Sequence, residues 1–275
     1  MLARFLERIR PWAAAAVVAA VTGGLAAVFP PSPAGADSDP VCPRSATAEG
    51  IAEPGRLVTK FDLTVFRSEF ENRQKVLDVV HRWPGQVRVG FVGTPDRYKS
   101  YVGRMVRDLS CLTGLRTYIH EEGSRPVPNF FVAMITRDVL DALARQENVG
   151  VESLKHVHCS VAPGLDIDLP GQHSTFINFL DDFSEAEKRH CLVKMTARAF
   201  GLFADSDVVH PSIFSADGAK LDYLPINDKI ILRTLYDPRI ERGMKREEAM
   251  EIARQIIPEL VKAVRERGVE ALYQR

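Results

Sequence analysis

The sequence predicts an α+β domain, a mixed β-sheet packed against a central helix with additional helices toward the carboxyl end. Three observations carry that prediction. Apolar segments follow the order strand, helix, strand, strand, insertion, strand, helix. A helix between residues 184 and 201 has both a start signal and a stop signal. Two more helical stretches then occupy residues 225–273.

In chain order, Leu57 to Phe66 alternates loosely and is expected to be a strand, and Ser68 to His81 has helical periodicity in Phe70, Val76, Leu77 and Val80. Trp83-Pro84-Gly85 is a turn signal before a buried strand with Val87, Val89, Phe91 and Val92. Tyr98, Tyr101, Val102, Met105, Leu109 and Leu112 recur at helical spacing from Arg97 to Thr113, where Gly114 stops the helix. Leu115 to His120 reads as a strand, Glu121 to Pro128 as a loop and Asn129 to Ile135 as a strongly apolar strand. A short helix follows from Arg137 to Glu147, then strands at His156–Val161 and Ser174–Leu180. Ser184 and Glu187 form an S-x-x-E capping box, and Gly201 is placed to end the helix they start. Another helix opens at Pro225-Ile226-Asn227-Asp228, and Lys245 to Tyr273 is amphipathic, with a kink or break expected at Pro258.

Charge and cysteines bound the setting. The 275 residues hold 36 basic and 36 acidic side chains, which gives nucleic acid no overall electrostatic pull. Arg4, Arg8 and Arg10, the apolar run Ala13–Phe29 and Ala34-Gly35-Ala36 read as a signal peptide over residues 1–36, cleaved before Asp37. A membrane association is expected only if that segment is retained. The protein is therefore expected in the periplasm or outside the cell. Residues 37–56 read as a flexible arm, 57–244 as the main domain and 245–275 as a helical extension. Cys42, Cys111, Cys159 and Cys191 are even in number with no C-x-x-C spacing, so two disulfides are expected. Three connectivities are open; the inferred layout favours Cys42–Cys111 and Cys159–Cys191.

Lys194-Met195-Thr196-Ala197-Arg198-Ala199-Phe200-Gly201 falls in register with H-E-x-x-H-x-x-G, set by Gly201 and Leu202. Downstream stand Ser212-Ile213-Phe214 and the tail Leu235-Tyr236-Asp237-Pro238-Arg239 through Gly243-Met244. With Cys191, these residues resemble domain-of-unknown-function family 2927, an exported bacterial family similar to the metzincin proteases and their matrixin branch. The resemblance covers Trp83 to Met244. It implies a metzincin-like fold, with Phe214 where matrixins have Met and Asn129–Ile135 as the edge strand. An extended peptide lying along Phe130–Ile135 is the partner it suggests.

The chemistry of that family does not carry over. A catalytic zinc needs neutral imidazoles and a carboxylate base. Here Lys194 and Arg198 occupy the first two ligand positions, Met195 replaces the base and the third ligand position falls on Ala204. Arginine has no acceptor atom at all. No cofactor is expected. Two readings of Lys194 and Arg198 stay open. Asp205, Asp207, Asp181 or Asp182 pairs with them and holds the loop, or the cations line a small cleft for a carboxylate. Gly201, Ser212, Ile213 and Phe214 are expected to be structural. An alternative, a hydrolase or metal-binding protein, rests on His156 and His158, which share one face of a strand. The chain has no P-loop, no G-x-G-x-x-G and no G-x-S-x-G.

Overall fold

The structure, a computed structural model, describes residue 42 and residues 50–68, 75–120, 127–146, 158–162, 175–215 and 220–274. The signal segment, most of the arm and His156 lie outside the described residues.

Helix α1 (Pro54–Val65) corrects the strand expected at Leu57–Phe66. Its buried positions are Leu57, Lys60, Phe61, Thr64 and Val65, a three-and-four spacing that belongs to a helix face. Pro54 sits in its first turn, where the missing N–H costs nothing. The helix expected at Ser68–His81 is also absent among the described residues. Strands β1 (Arg67–Ser68) and β2 (Lys75–Val76) pair antiparallel there, and Val79 bridges to Lys245. Val76 is exposed, so the apolar residues of this stretch do not share one buried face.

The main sheet contains β3 (Val87–Val92), β4 (Thr117–Ile119), β5 (Phe130–Ile135), β6 (Cys159–Ala162) and β7 (Thr175–Leu180), in the order β4-β3-β5-β7-β6. Strand β3 runs parallel to β4 and β5, and β5 runs parallel to β7. Strand β6 alone is antiparallel. Strand β5 is therefore central, hydrogen-bonded on both sides through pairs such as Phe91↔Val132 and Val132↔Ile177. The edge-strand assignment of Asn129–Ile135 is corrected, and with it strand addition along Phe130–Ile135, because no backbone edge is free there. The near-continuous apolar run FFVAMI is what a strand inside a parallel sheet requires.

Helix α2 (Asp96–Thr113) packs beside β4 and ends on Gly114, whose φ of 70° is left-handed. Helix α3 (Arg137–Gln146) follows β5. Helix α4 (Glu185–Ala199) lies against β6 and β7. Its faces explain its position. Leu192, Val193, Met195, Thr196 and Ala199 are buried, whereas Glu185 and Glu187 stay in water near its amino end. Helices α5 (Ile226–Leu235) and α6 (Arg246–Arg267) complete the core with α1, and a 3-10 turn, Val269–Leu272, closes the chain. Pro258 does not break α6. It stands on the exposed side, so the carbonyl left without its donor is on the watered face of the helix. Arg246 forks onto Asp62 at 2.8 and 2.7 Å and joins α6 to α1. Among the described residues no helix is long and apolar enough to cross a membrane.

Both expected disulfides are present. Cys42–Cys111 fastens the arm to the end of α2, and Cys159–Cys191 ties the antiparallel edge strand to α4.

Candidate functional site

The site is built around α4. Its first turn carries the full capping box. Ser184 Oγ accepts from the Glu187 N–H at 3.3 Å, and Glu187 Oε2 accepts from the Ser184 N–H at 3.1 Å. Lys220 also donates to Glu187. With Ser184, it draws the Glu187 carboxyl down to about 2. At the other end Gly201 takes φ 109°. A Cβ there would stand 2.7 Å from the His81 carbonyl oxygen and 2.7 Å from Leu235 Cδ2. Both the backbone angle and the close approach demand glycine.

Lys194 and Arg198, four residues apart, project from the same side of α4 toward the loop after it. One carboxylate receives both. Lys194 Nζ is 2.6 Å from Asp205 Oδ2, and Arg198 Nη2 is 2.7 Å from Asp205 Oδ1. The three side chains are 15%, 17% and 25% exposed, so this group is mostly shielded from water. Of the four aspartates expected as partners, Asp205 makes these contacts. Asp182 binds Arg137 at 2.9 Å, and Asp207 accepts from Ser215 Oγ at 2.8 Å. A bridging carboxylate offsets the repulsion of two cations at i, i+4 and ties residues 203–207 to the helix. One turn earlier on the same side, His190 Nδ1 donates to the Leu221 carbonyl at 2.9 Å. Burial, with Lys194 and Lys220 adding to it, pushes the His190 imidazole below its usual range.

The donors here do not fit zinc. Lys194 and Arg198 are engaged as cations, Met195 is buried and Ala204 is buried with no donor atom. His158, the described half of the histidine alternative, is exposed just before β6, with Nδ1 3.9 Å from Asp182 Oδ1. Among the described residues no three His, Cys, Asp or Glu side chains gather as metal ligands. Ser215, Asp207 and His210 do come together, His210 Nδ1 being 3.2 Å from Ser215 Oγ. In the 2.8 Å contact the serine donates, since a carboxylate only accepts.

The Ser212-Ile213-Phe214 turn rests on a buried polar network. Lys60 Nζ donates to Ser212 Oγ at 2.5 Å and lies 3.0 Å from Asp228 Oδ1. Ser212 Oγ donates to Asp228 Oδ1 at 3.0 Å and accepts from the Phe214 N–H at 3.0 Å. Asp228 Oδ2 accepts from the Ile213 N–H at 2.7 Å. Lys60 and Asp228 are 0% exposed and Ser212 is 3% exposed, so no substrate reaches this serine. The network joins α1, the turn and α5. Neither Lys60 nor Asp228 is picked out as a site residue by the sequence alone. The signal for Lys60 is a lysine on the apolar face of a helix, which shows only once that segment is seen as a helix and not a strand.

The tail after α5 performs a similar task. The Tyr236 hydroxyl donates to the Phe200 carbonyl at 3.1 Å and accepts from the Trp83 N–H at 3.1 Å. Trp83 Nε1 donates to the Ala199 carbonyl at 2.9 Å. These groups close the carboxyl end of α4, where helical carbonyls lack partners. Burial pushes the Tyr236 phenol well above its ordinary value. Asp237 works against its own burial. Hydrogen bonds from Arg239, with Arg233 nearby, hold its carboxyl below the usual range.

No curated protein matches the chain. Among solved structures, that of Myroilysin is similar at 14% identity, over 71% of this chain and 90% of that one. The TM-score of that comparison is 0.33. A family profile described as "Protein of unknown function (DUF2927)" matches residues 55–255, taking in α1, the sheet, α4, the turn and the tail. The chain belongs to that family.

Proposed function

We propose that the protein is a non-catalytic, exported, metzincin-like domain that serves the cell envelope as a peptide-binding or structural module. The observation behind this reading is the single Asp205 carboxylate shared by Lys194 and Arg198, at the helix positions where the resemblance would place metal ligands. Those positions hold a loop in place instead of an ion. Two disulfides suit an oxidising compartment, and the periplasm or the exterior is the reading they favour. The capping box, Gly201, the buried turn and Tyr236 serve the scaffold, so a fold can persist after its chemistry has gone. Lys194, Arg198 and Asp205 together carry one net positive charge, and the peptide reading places an acidic side chain beside them. The test is incubation of the purified protein with unstructured polypeptides, with and without added zinc, followed by mass spectrometry. Intact polypeptides are expected under both conditions. Cleavage that a chelator abolishes overturns the proposal.

A further inference from the structure

Residues 220–224 cross the amino-terminal half of α4 and reach α2 without entering a strand or a helix. No backbone–backbone hydrogen bond fastens them to another element among the described residues. Side chains make the ties instead. Lys220 donates to Glu187, and Arg189 Nη1 lies 3.8 Å from Asp222 Oδ2. His190 Nδ1 donates to the Leu221 carbonyl at 2.9 Å. From α2 the Tyr101 hydroxyl donates to the Asp222 carbonyl. Leu221 packs against the core while partly exposed, and Leu224 is buried just before α5.

These ties differ in what can undo them. The Arg189–Asp222 pair is half exposed and Lys220 is exposed, and ion pairs in water contribute little. Burial, with Asp222 adding to it, pushes the Tyr101 phenol well above its ordinary value, so that hydroxyl stays a donor near neutrality. His190 is half-buried, and an imidazole is the side chain whose charge changes near neutrality.

With Nδ1 donating, a second proton goes to Nε2. Charges meet the ring from three sides. Lys194 stands one turn further along α4, Lys220 comes from the crossing segment and Asp205 from the loop after the helix. Glu187 and Arg189 flank it on α4, and Asp222 follows on the segment. Helix α2 brings Tyr101 and Arg104 to the far side, Arg104 lying 5.9 Å from the Tyr101 ring centroid. Asp205 is already held by Lys194 and Arg198. A proton on His190 is therefore set between two lysines and away from water while the segment is down. Lifting the segment carries Lys220 off and lets water reach the ring, so protonation and lifting favour each other.

We propose that residues 220–224 form a strap that a proton on His190 releases from α4. Burial, with the two lysines adding to it, holds the imidazole below its ordinary 6.5. The support it gives the closed strap is thus complete above that value and lost as pH falls through the lowered one. Release bares the side of α4 next to the Lys194–Arg198–Asp205 group. What then enters rests on the peptide-binding reading; the release itself does not, and the experiment reads only the release.

The test is hydroxyl-radical footprinting of the whole protein, disulfides intact, with Leu221 followed as pH falls from about 7.5 to about 5. Leu221 oxidation is expected to rise severalfold, while Val139, already exposed, and Leu192, fully buried, stay constant. Deuterium exchange at the His190 ring, read by mass spectrometry, gives the midpoint of its titration, and the two midpoints are expected to coincide below 6.5. His190→Gln can donate to the same carbonyl and cannot titrate, so it is expected to show no step, whatever its level of oxidation. No rise at Leu221 in the wild type overturns the proposal. So does a step that survives in His190→Gln, a pair of midpoints that disagree, or a rise shared by Leu192, which reports unfolding of the core instead.

Discussion

Asp228→Asn tests the buried network most sharply. The wild-type carboxylate meets Lys60 Nζ at 3.0 Å, accepts from Ser212 Oγ and takes the Ile213 N–H, all without solvent. The amide keeps the shape and removes the charge. The amide has one oxygen, for Lys60 or for the Ile213 N–H but not both, so Lys60 becomes a buried cation with no counter-charge in this network, beside Ser212 Oγ and with the Phe214 ring 5.7 Å away. Stranding a buried charge costs about 3–5 kcal/mol. For a domain of this size that lowers Tm by about 6–20 °C, at about 2–4 °C per kcal/mol. Urea unfolding followed by circular dichroism and by Trp83 fluorescence, with disulfides intact, measures it. The double variant Lys60→Met, Asp228→Leu removes both charges and is expected to recover part of the loss. Recovery stays incomplete because the Ile213 N–H loses its acceptor, worth about 1–3 kcal/mol. A loss under about 1 kcal/mol for Asp228→Asn would refute the reasoning, since it would mean Lys60 needs no counter-charge.

Four further outcomes are expected. Gly201→Ala places a methyl 2.7 Å from the His81 carbonyl at a left-handed φ, and calorimetry is expected to read a loss of about 2–5 kcal/mol. Tyr236→Phe removes the hydroxyl that pairs with the Trp83 N–H and the Phe200 carbonyl, expected to cost about 1–3 kcal/mol by urea titration. Asp205→Ala exposes Lys194 and Arg198 to each other and is expected to cost about 2 kcal/mol. If added acetate restores that stability where chloride does not, the group is open to carboxylate ligands. Glu187 is lowered from 4.5 to about 2, so its unfolded form binds protons more readily. Its contribution is complete above about pH 4.5 and disappears as pH falls toward 2, and Glu187→Gln is expected to flatten that part of the acid-stability curve.

The readable parts of the fold were the local ones. Ser184, Glu187 and Gly201 mark α4 because capping is decided within one turn, and Gly114 marks the end of α2 for the same reason. Asp205 is within reach of sequence reasoning because it stands seven residues past Arg198, on the loop that follows α4. The position of β5 was not readable. Its apolar run tells burial on two faces, while its neighbours β3 and β7 are set by the crossings of the chain. The α1 sequence reads as a strand because Leu57, Phe61 and Val65 are separated by valine and threonine, residues that favour strands when read alone. Lys60 then went unseen, since its partner Asp228 is far along the chain and only tertiary packing joins them.

Zinc titration by isothermal calorimetry, paired with Tm in zinc and in chelator, bears most directly on whether the α4 positions hold a loop or an ion. The account predicts no stoichiometric zinc binding that depends on α4, and the same Tm in both conditions. One zinc per chain, with a Tm that rises on binding and with binding lost in Lys194→Ala or His190→Ala, both on α4, would contradict it.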